Sequence, residues 1–317
     1  MEGVTPEQLL ETTDLIAVGV EGDEVRRRMH GTRTTFNRVF ELHVDGPRLR
    51  QGSGGQAPLA KGVPAVLRQA QDGPELRRSA GALTEAGEFR VIGKPSSLER
   101  LISAVHTAGT MAAGVPVTVF SVADLLTLPE SIRTVADALR ESGASAVVHL
   151  PIDRVDNAEV VTEHLHSAGL AVLTIGIQDP DDDRRLELCA RARALQSSVG
   201  GFKAFAPLSR TMSVAKPTTG YDDVKMVALA RVAVQNIESI QVDWALYGPK
   251  LAQVVLTVGA DDIDAVAAVD PGILGTRRSP LEEIRRNIKA ASLEPVQRDA
   301  LFRVNSKSQT PNSKGAL

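Results

Sequence analysis

Cysteine is nearly absent. Cys189 is the only one in 317 residues, which excludes an intrachain disulfide and any CxxC metal site. It sits in "DDDRRLELCARARALQ", a helix-like stretch where it reads as a small buried hydrophobe. Charge of one sign is also lacking. A formal net charge of −3 argues against a nucleic-acid or membrane-surface role driven by bulk charge. No window approaches the ~18 uninterrupted apolar residues of a membrane-spanning helix. The start, "MEGVTPEQLLETTD", lacks a basic-then-apolar leader, so the expected location is the cytoplasm. No GxGxxG follows any strand candidate, no phosphate loop of the Walker kind occurs, and local spacing assembles no Ser–His–Asp set.

What is present is a regular alternation. Hydrophobic residues make up 43% of the chain, enough for a large core in one large domain or two ordinary ones. Residues 1–33 read as an N-terminal helical segment, with Gly31 as its stop. "TTFNRVFELHV" (34–44) alternates and reads as a strand. Further strand candidates are "EFRVIG" (88–93), "PVTVFSV" (116–122), "SAVVHLP" (145–151), "AVLTIGI" (171–177), "GFKAFAPL" (201–208), "SIQVDWAL" (239–246) and "VVLTVGA" (254–260). Amphipathic helix patterns separate most of them, and several end in Gly, as helix C-termini do.

Eight strands alternating with helices imply parallel pairing and predict an α/β fold, a (β/α)8 barrel of the TIM type over 34–304 with an N-terminal helical extension. An open doubly wound sheet is the alternative. The pattern fails between 45 and 87, a stretch rich in Gly, Pro, Gln and Arg without an aromatic residue. It reads as a low-complexity insertion, because 40 or so structureless residues are uncommon inside a compact domain. The tail 305–317 reads as disordered.

Parallel barrels hold ligands at the C-terminal ends of their strands, which turns the strand candidates into a site. Asp261, Asp262 and Asp264 would follow the last strand. They could bind a metal, hydrogen-bond a ribose or an amine, or act as a general base; alternatively Asp262 caps a turn and the others face water. Asp243, beside Trp244, would point into the mouth and need a partner, with Lys250 or Arg210 available. Arg210 and Thr211 follow "FKAFAPL" directly, and Arg suits a carboxylate or phosphate. Lys203 would face inward from mid-strand. Tyr247 stands at the end of the 239–246 strand candidate and joins the substrate-binding candidates. His149 reads as a satisfied core residue, and His106, His164 and His166 as helix-surface residues.

"GGFKAFAPL", "PTTGYDDVKMVALARVAVQNI", "IQVDWALYGPKLAQVVLTVGADDIDAV", "EEIRRNIKAASLEPVQRDALF" and "DLIAVGVEGDEVRRRMHGTRTTF" resemble the radical-SAM enzymes of futalosine-type menaquinone synthesis and deazaflavin synthesis. That family comprises aminofutalosine synthase, cyclic dehypoxanthine futalosine synthase and the second subunit of FO synthase. The resemblance covers nearly the whole chain apart from 45–87. Gln253 joins the substrate-binding candidates only through the resemblance of its segment. It implies a barrel of the radical-SAM kind, with a [4Fe–4S] cluster on a CxxxCxxC loop after the first strand and S-adenosylmethionine as co-substrate. Three thiolates must hold three irons so that the fourth can bind the methionine end. That loop should follow Val44, where this chain enters the insertion without a cysteine. The family's Gly-rich, acid-ending motif after the fourth strand is replaced by "HLPIDRVDNAEVV".

The resulting expectation is a cluster-less, aminofutalosine synthase-like protein with no cofactor and no metal. It would be a menaquinone-pathway binding or accessory protein that takes a small molecule and pairs with a paralogous radical-SAM enzyme. The alternative is a non-radical enzyme acting on a nucleoside-like or chorismate-derived substrate. No nucleic-acid or membrane partner is expected.

Overall fold

The computed structural model describes residues 5–44, 86–179, 184–211, 219–268 and 280–304. The expectations for 45–85 and for the tail 305–317 lie outside the described residues.

The N-terminal helices are set by their caps. Thr5 accepts from the Gln8 amide while the Gln8 side chain accepts from the Thr5 amide, which starts α1 (Pro6–Glu11). Asp14 accepts from the amides of Ile16 and Ala17 and starts α2 (Leu15–His30), which ends where Gly31 takes a φ of 61°. After β1 (Arg33–His43) and β2 (Glu88–Ile92) the chain alternates helix and strand. It continues through α3 (Leu98–Ala112), β3 (Val117–Ser121), α4 (Val122–Leu125), α5 (Ile132–Glu141), β4 (Ala146–Pro151), α6 (Ala158–Ser167), β5 (Ala171–Val172), β6 (Thr174–Ile177) and α7 (Arg185–Ser198). It ends with β7 (Ala204–Ser209), α8 (Gly220–Ala233), β8 (Ser239–Asp243), α9 (Trp244–Val255), β9 (Asp262–Ala267), α10 (Pro280–Ala290) and β10 (Glu294–Arg298).

Each strand pairs parallel with the next, β5 and β6 share one position beside β4, and β9 pairs back onto β1. The expected closed eight-stranded (β/α)8 barrel is therefore borne out. β10 is an addition. It pairs with Arg33 to Asn37 of β1, whereas Val39 to His43 pair with β2, so β10 lies at the N-terminal end of the barrel, its floor. Among the described residues no helix is long and apolar enough to cross a membrane.

The last strand lies elsewhere than the sequence suggests. Residues 254–260 are not a strand: α9 runs to Val255 and a turn follows. The run is apolar because Val255, Leu256 and Ala260 are buried as the inner side of that helix end and turn. The strand is Asp262–Ala267, and β8 stops at Asp243, whose carboxylate accepts from the Leu246 amide and starts α9. In β9 the pairing slips: Phe36 faces Ile263 but Arg38 faces Val266. Asp264 and Ala265 thus stand opposite Asn37 alone, and Ala265 takes a φ of 57°, as bulged residues do.

Candidate functional site

The barrel interior is filled with charge rather than with branched aliphatics. Inward positions on β1, β2, β3, β8 and β9 carry Thr35, Asn37, Glu88, Arg90, Thr118, Gln241, Asp262 and Asp264, and these bond to one another across the lumen. At the floor, Arg298 of β10 donates from Nε and Nη2 to Asp262, both at 2.6 Å. Gln241 donates to the same carboxylate at 2.8 Å and Thr35 at 2.5 Å. One layer up, Glu88 accepts from Arg90 at 2.6 and 2.9 Å and from Thr118 and Asn37. Arg90 also donates to both oxygens of Asp264, at 2.9 and 2.8 Å. A cavity of about 20 Å³ between Glu88, Arg90, Thr118, Gln241, Asp264 and Arg298 has room for one water.

The mouth is more loosely tied. Arg210, next after β7, sits 3.7 Å from Asp243 and 3.9 Å from Asp264, beyond hydrogen-bond range. His149 of β4 is 6% exposed, and among the described residues neither ring nitrogen has a hydrogen-bond partner; Nε of Arg210 is buried and equally unmatched. Burial pushes the Asp243 carboxyl up against the opposing pull of Arg210. Burial would also raise Asp264, but Arg90, Arg298 and Arg210 together bring it well below the usual carboxylate range. Burial, then Arg210 and Arg90, hold His149 well below the usual imidazole value, so it is neutral at pH 7.

The structure brings Arg210, Asp243 and Asp264 together and separates the other candidates. Asp261, Asp262 and Asp264 do not follow the last strand; they precede or open it, because β9 begins eight residues later than the sequence suggests. Asp261 lies at the N-terminal end, where it accepts from Arg231 and, at 2.8 Å, from the Ile240 amide, with His30 at 3.5 Å. Asp262 is the floor partner of Arg298. Lys203 does not face inward: it precedes β7, exposed, 3.8 Å from Glu238. Thr211 is on the rim and donates to the Gln178 carbonyl and to Asp179. Tyr247 donates to the Ser209 carbonyl at 2.7 Å, which fixes the turn into Arg210, and burial pushes its phenol upward. Lys250 is exposed and Gln253 half-buried, both on α9 beyond the break at Gly248 and Pro249.

Sequence reasoning missed Glu88, Arg90, Gln241 and Arg298, and placed His149 among satisfied core residues. The available signal was two charges at alternate positions of "EFRVI", since a strand walled into a barrel can point such charges only at the lumen.

A three-thiolate iron–sulfur cluster does not fit the residues present. The single cysteine lies on α7, 1% exposed, with its thiol pushed up to about 12 by burial; it is neither a thiolate nor one of three.

Fold and lumen define the chain as a parallel (β/α)8 barrel. HydG from Carboxydothermus hydrogenoformans, a FeFe-hydrogenase maturase, shares the fold with a TM-score of 0.63 at 12% identity, over 94% of this chain and 76% of that one. Methylornithine synthase (PylB) does so with a TM-score of 0.58 at 13% identity, over 93% and 95%. Residues 202–310 match the family described as the CofH/MqnC C-terminal region, which bears out the resemblance read from the sequence. Aminodeoxyfutalosine synthase of Thermus thermophilus is 35% identical over 136 residues, 38% of this chain and 36% of that protein. Cyclic dehypoxanthine futalosine synthase of Streptomyces coelicolor is 27% identical over 214 residues, 65% and 49%. A 5-amino-6-(D-ribitylamino)uracil–L-tyrosine 4-hydroxyphenyl transferase of Methanococcoides burtonii is 33% identical over 159 residues, 44% and 44%. The matches therefore span less than half the length of each of these curated relatives.

Proposed function

We propose that this chain is a cluster-less relative of the aminofutalosine synthase-like enzymes, a barrel that binds a small polar metabolite at its mouth without radical chemistry. The observation that carries the reading is the cysteine count, one buried thiol on α7, where the related radical mechanism needs three thiolates. The mouth supports the binding half of the reading. Arg210 and His149 hold unmatched polar atoms there, and buried polar atoms without partners are costly unless a ligand supplies them. The ligand class is a nucleoside-like or aromatic acid metabolite, in keeping with the products and substrates in the relatives' names, and a paralogous radical-SAM enzyme is the partner that fits an accessory role.

A second reading has one observation in its favour. Asp243 is a buried carboxyl with a raised affinity for its proton, which suits a non-radical general acid or base.

The test is thermal-shift and calorimetric screening of the purified chain with nucleosides and aromatic carboxylates. Binding that weakens in Arg210→Gln supports the first reading. Turnover that disappears in Asp243→Asn supports the second. No binding by any probe contradicts both.

A further inference from the structure

His149 projects from β4 and Arg210 follows β7; β6 runs between them and contributes Gly176. A Cβ on Gly176 would lie 3.0 Å from Cδ2 of His149 and 3.8 Å from Nε of Arg210. The ring and the guanidinium therefore converge over the one position of β6 that carries no side chain. Nε of Arg210 and both ring nitrogens of His149 are buried without a hydrogen-bond partner among the described residues, the ring turning Cδ2 and Cγ rather than a nitrogen toward Gly176. Arg210 is not consumed by its carboxylate neighbours, which lie at 3.7 and 3.9 Å, and Asp264 is already held by Arg90 through two shorter contacts. We propose that His149 and the Nε edge of Arg210, converging over Gly176, form an oxyanion subsite that takes the carboxylate or phosphate group of the mouth's ligand. The proposal rests on the reading of the mouth as a ligand site and adds the chemistry of one end of that ligand.

Charge balance gives the subsite a second property. The groups facing His149 are Arg210 after β7, Arg90 of β2, Asp264 of β9 and Gln178 after β6. Asp243 of β8 faces Arg210, and Glu88 and Glu41 face Arg90. With the ring neutral, the two guanidiniums already face four carboxylates, Asp243, Asp264, Glu88 and Glu41. An added anion would then be an uncompensated buried charge, which is costly. Protonation of His149 cancels it, so oxyanion binding takes up about one proton per ligand near neutral pH and weakens as pH rises.

The experiment is calorimetry of the full chain with inorganic phosphate, with acetate and with adenosine as a neutral probe. It is run in buffers of different ionisation enthalpy, with the His149 ring proton followed by NMR. We expect phosphate or acetate to bind with uptake of about one proton and a downfield move of the His149 resonance. Affinity should fall about tenfold or more in Arg210→Gln, and in Gly176→Ala, which crowds the space without removing a charge. His149→Gln should retain weakened binding but lose the proton uptake. Binding of phosphate alone or of acetate alone supports the proposal and names the oxyanion. Uptake that persists in His149→Gln sends the proton to Asp243 or to the bound oxyanion itself and overturns the assignment. Adenosine binding with neither oxyanion bound sinks the subsite while the mouth reading survives. No binding by any of the three sinks both.

Discussion

Arg298 grips Asp262 through two parallel hydrogen bonds of 2.6 Å, with both side chains out of solvent. The pair ties β10 to β9 across the floor of the barrel, and Phe302 covers the guanidinium at 3.9 Å. Removing one partner leaves the other charge buried. Arg298→Met should cost about 3–5 kcal/mol in urea unfolding. The double variant Arg298→Met, Asp262→Leu should recover most of that loss, because it leaves no isolated charge. A single variant within about 1 kcal/mol of the parent would contradict the pairing.

Asp264 and Asp243 should respond to pH in opposite senses. The folded protein holds Asp264 below its ordinary value of 3.8. That stabilisation is present above 3.8 and lost as pH falls below it toward the folded value. The folded protein raises Asp243 above 3.8, so its contribution is present below 3.8 and lost as pH rises through the folded value. Asp264→Asn should therefore lower Tm at pH 7, with the deficit shrinking in acid. Asp243→Asn should raise Tm at pH 7, with the gain vanishing in acid. Melting curves between about pH 3 and pH 8 check both signs.

Gly22 is where α2 meets the barrel. A Cβ there would fall 2.0 Å from the Val258 carbonyl and 3.1 Å from Cα of Ala228 on α8. Both are backbone atoms and cannot swing aside. Gly22→Ala should cost about 1–3 kcal/mol and expose α2 amides to hydrogen exchange. Unchanged exchange would show that the helix does not depend on this approach.

Cys189 should behave as a buried hydrophobe. Its thiol is 1% exposed and pushed up to about 12, so an aromatic disulfide reagent should find no reactive thiol in the native protein and one in denaturant. Fast native labelling would contradict its placement on the inner face of α7.

Seven of the eight strand positions were legible because alternation or an apolar run survives burial on both sides. The eighth was not. "VVLTVGA" carries β-branched residues at the end of a helix, where burial alone makes them apolar. "DIDAVA" carries two acids at inward positions, and nothing local marks them as buried. Their partners Arg298 and Arg90 lie 36 and 174 residues away, beyond the reach of any window. Asp243 and Arg210 could be placed at strand ends because the barrel rule needs only boundaries. His149 was passed over because its unmatched nitrogens are a property of three strands together. Lys203 looked inward because "GFKAFAPL" suggests a strand from residue 201, whereas β7 starts at Ala204.

The most direct measurement is anaerobic reconstitution with iron and sulfide, followed by iron analysis and an assay for S-adenosylmethionine cleavage to 5′-deoxyadenosine. With a single buried thiol, the account predicts no stoichiometric cluster iron and no 5′-deoxyadenosine. A bound cluster that cleaves S-adenosylmethionine would contradict it, and would mean that the cluster's ligands come from outside these 317 residues.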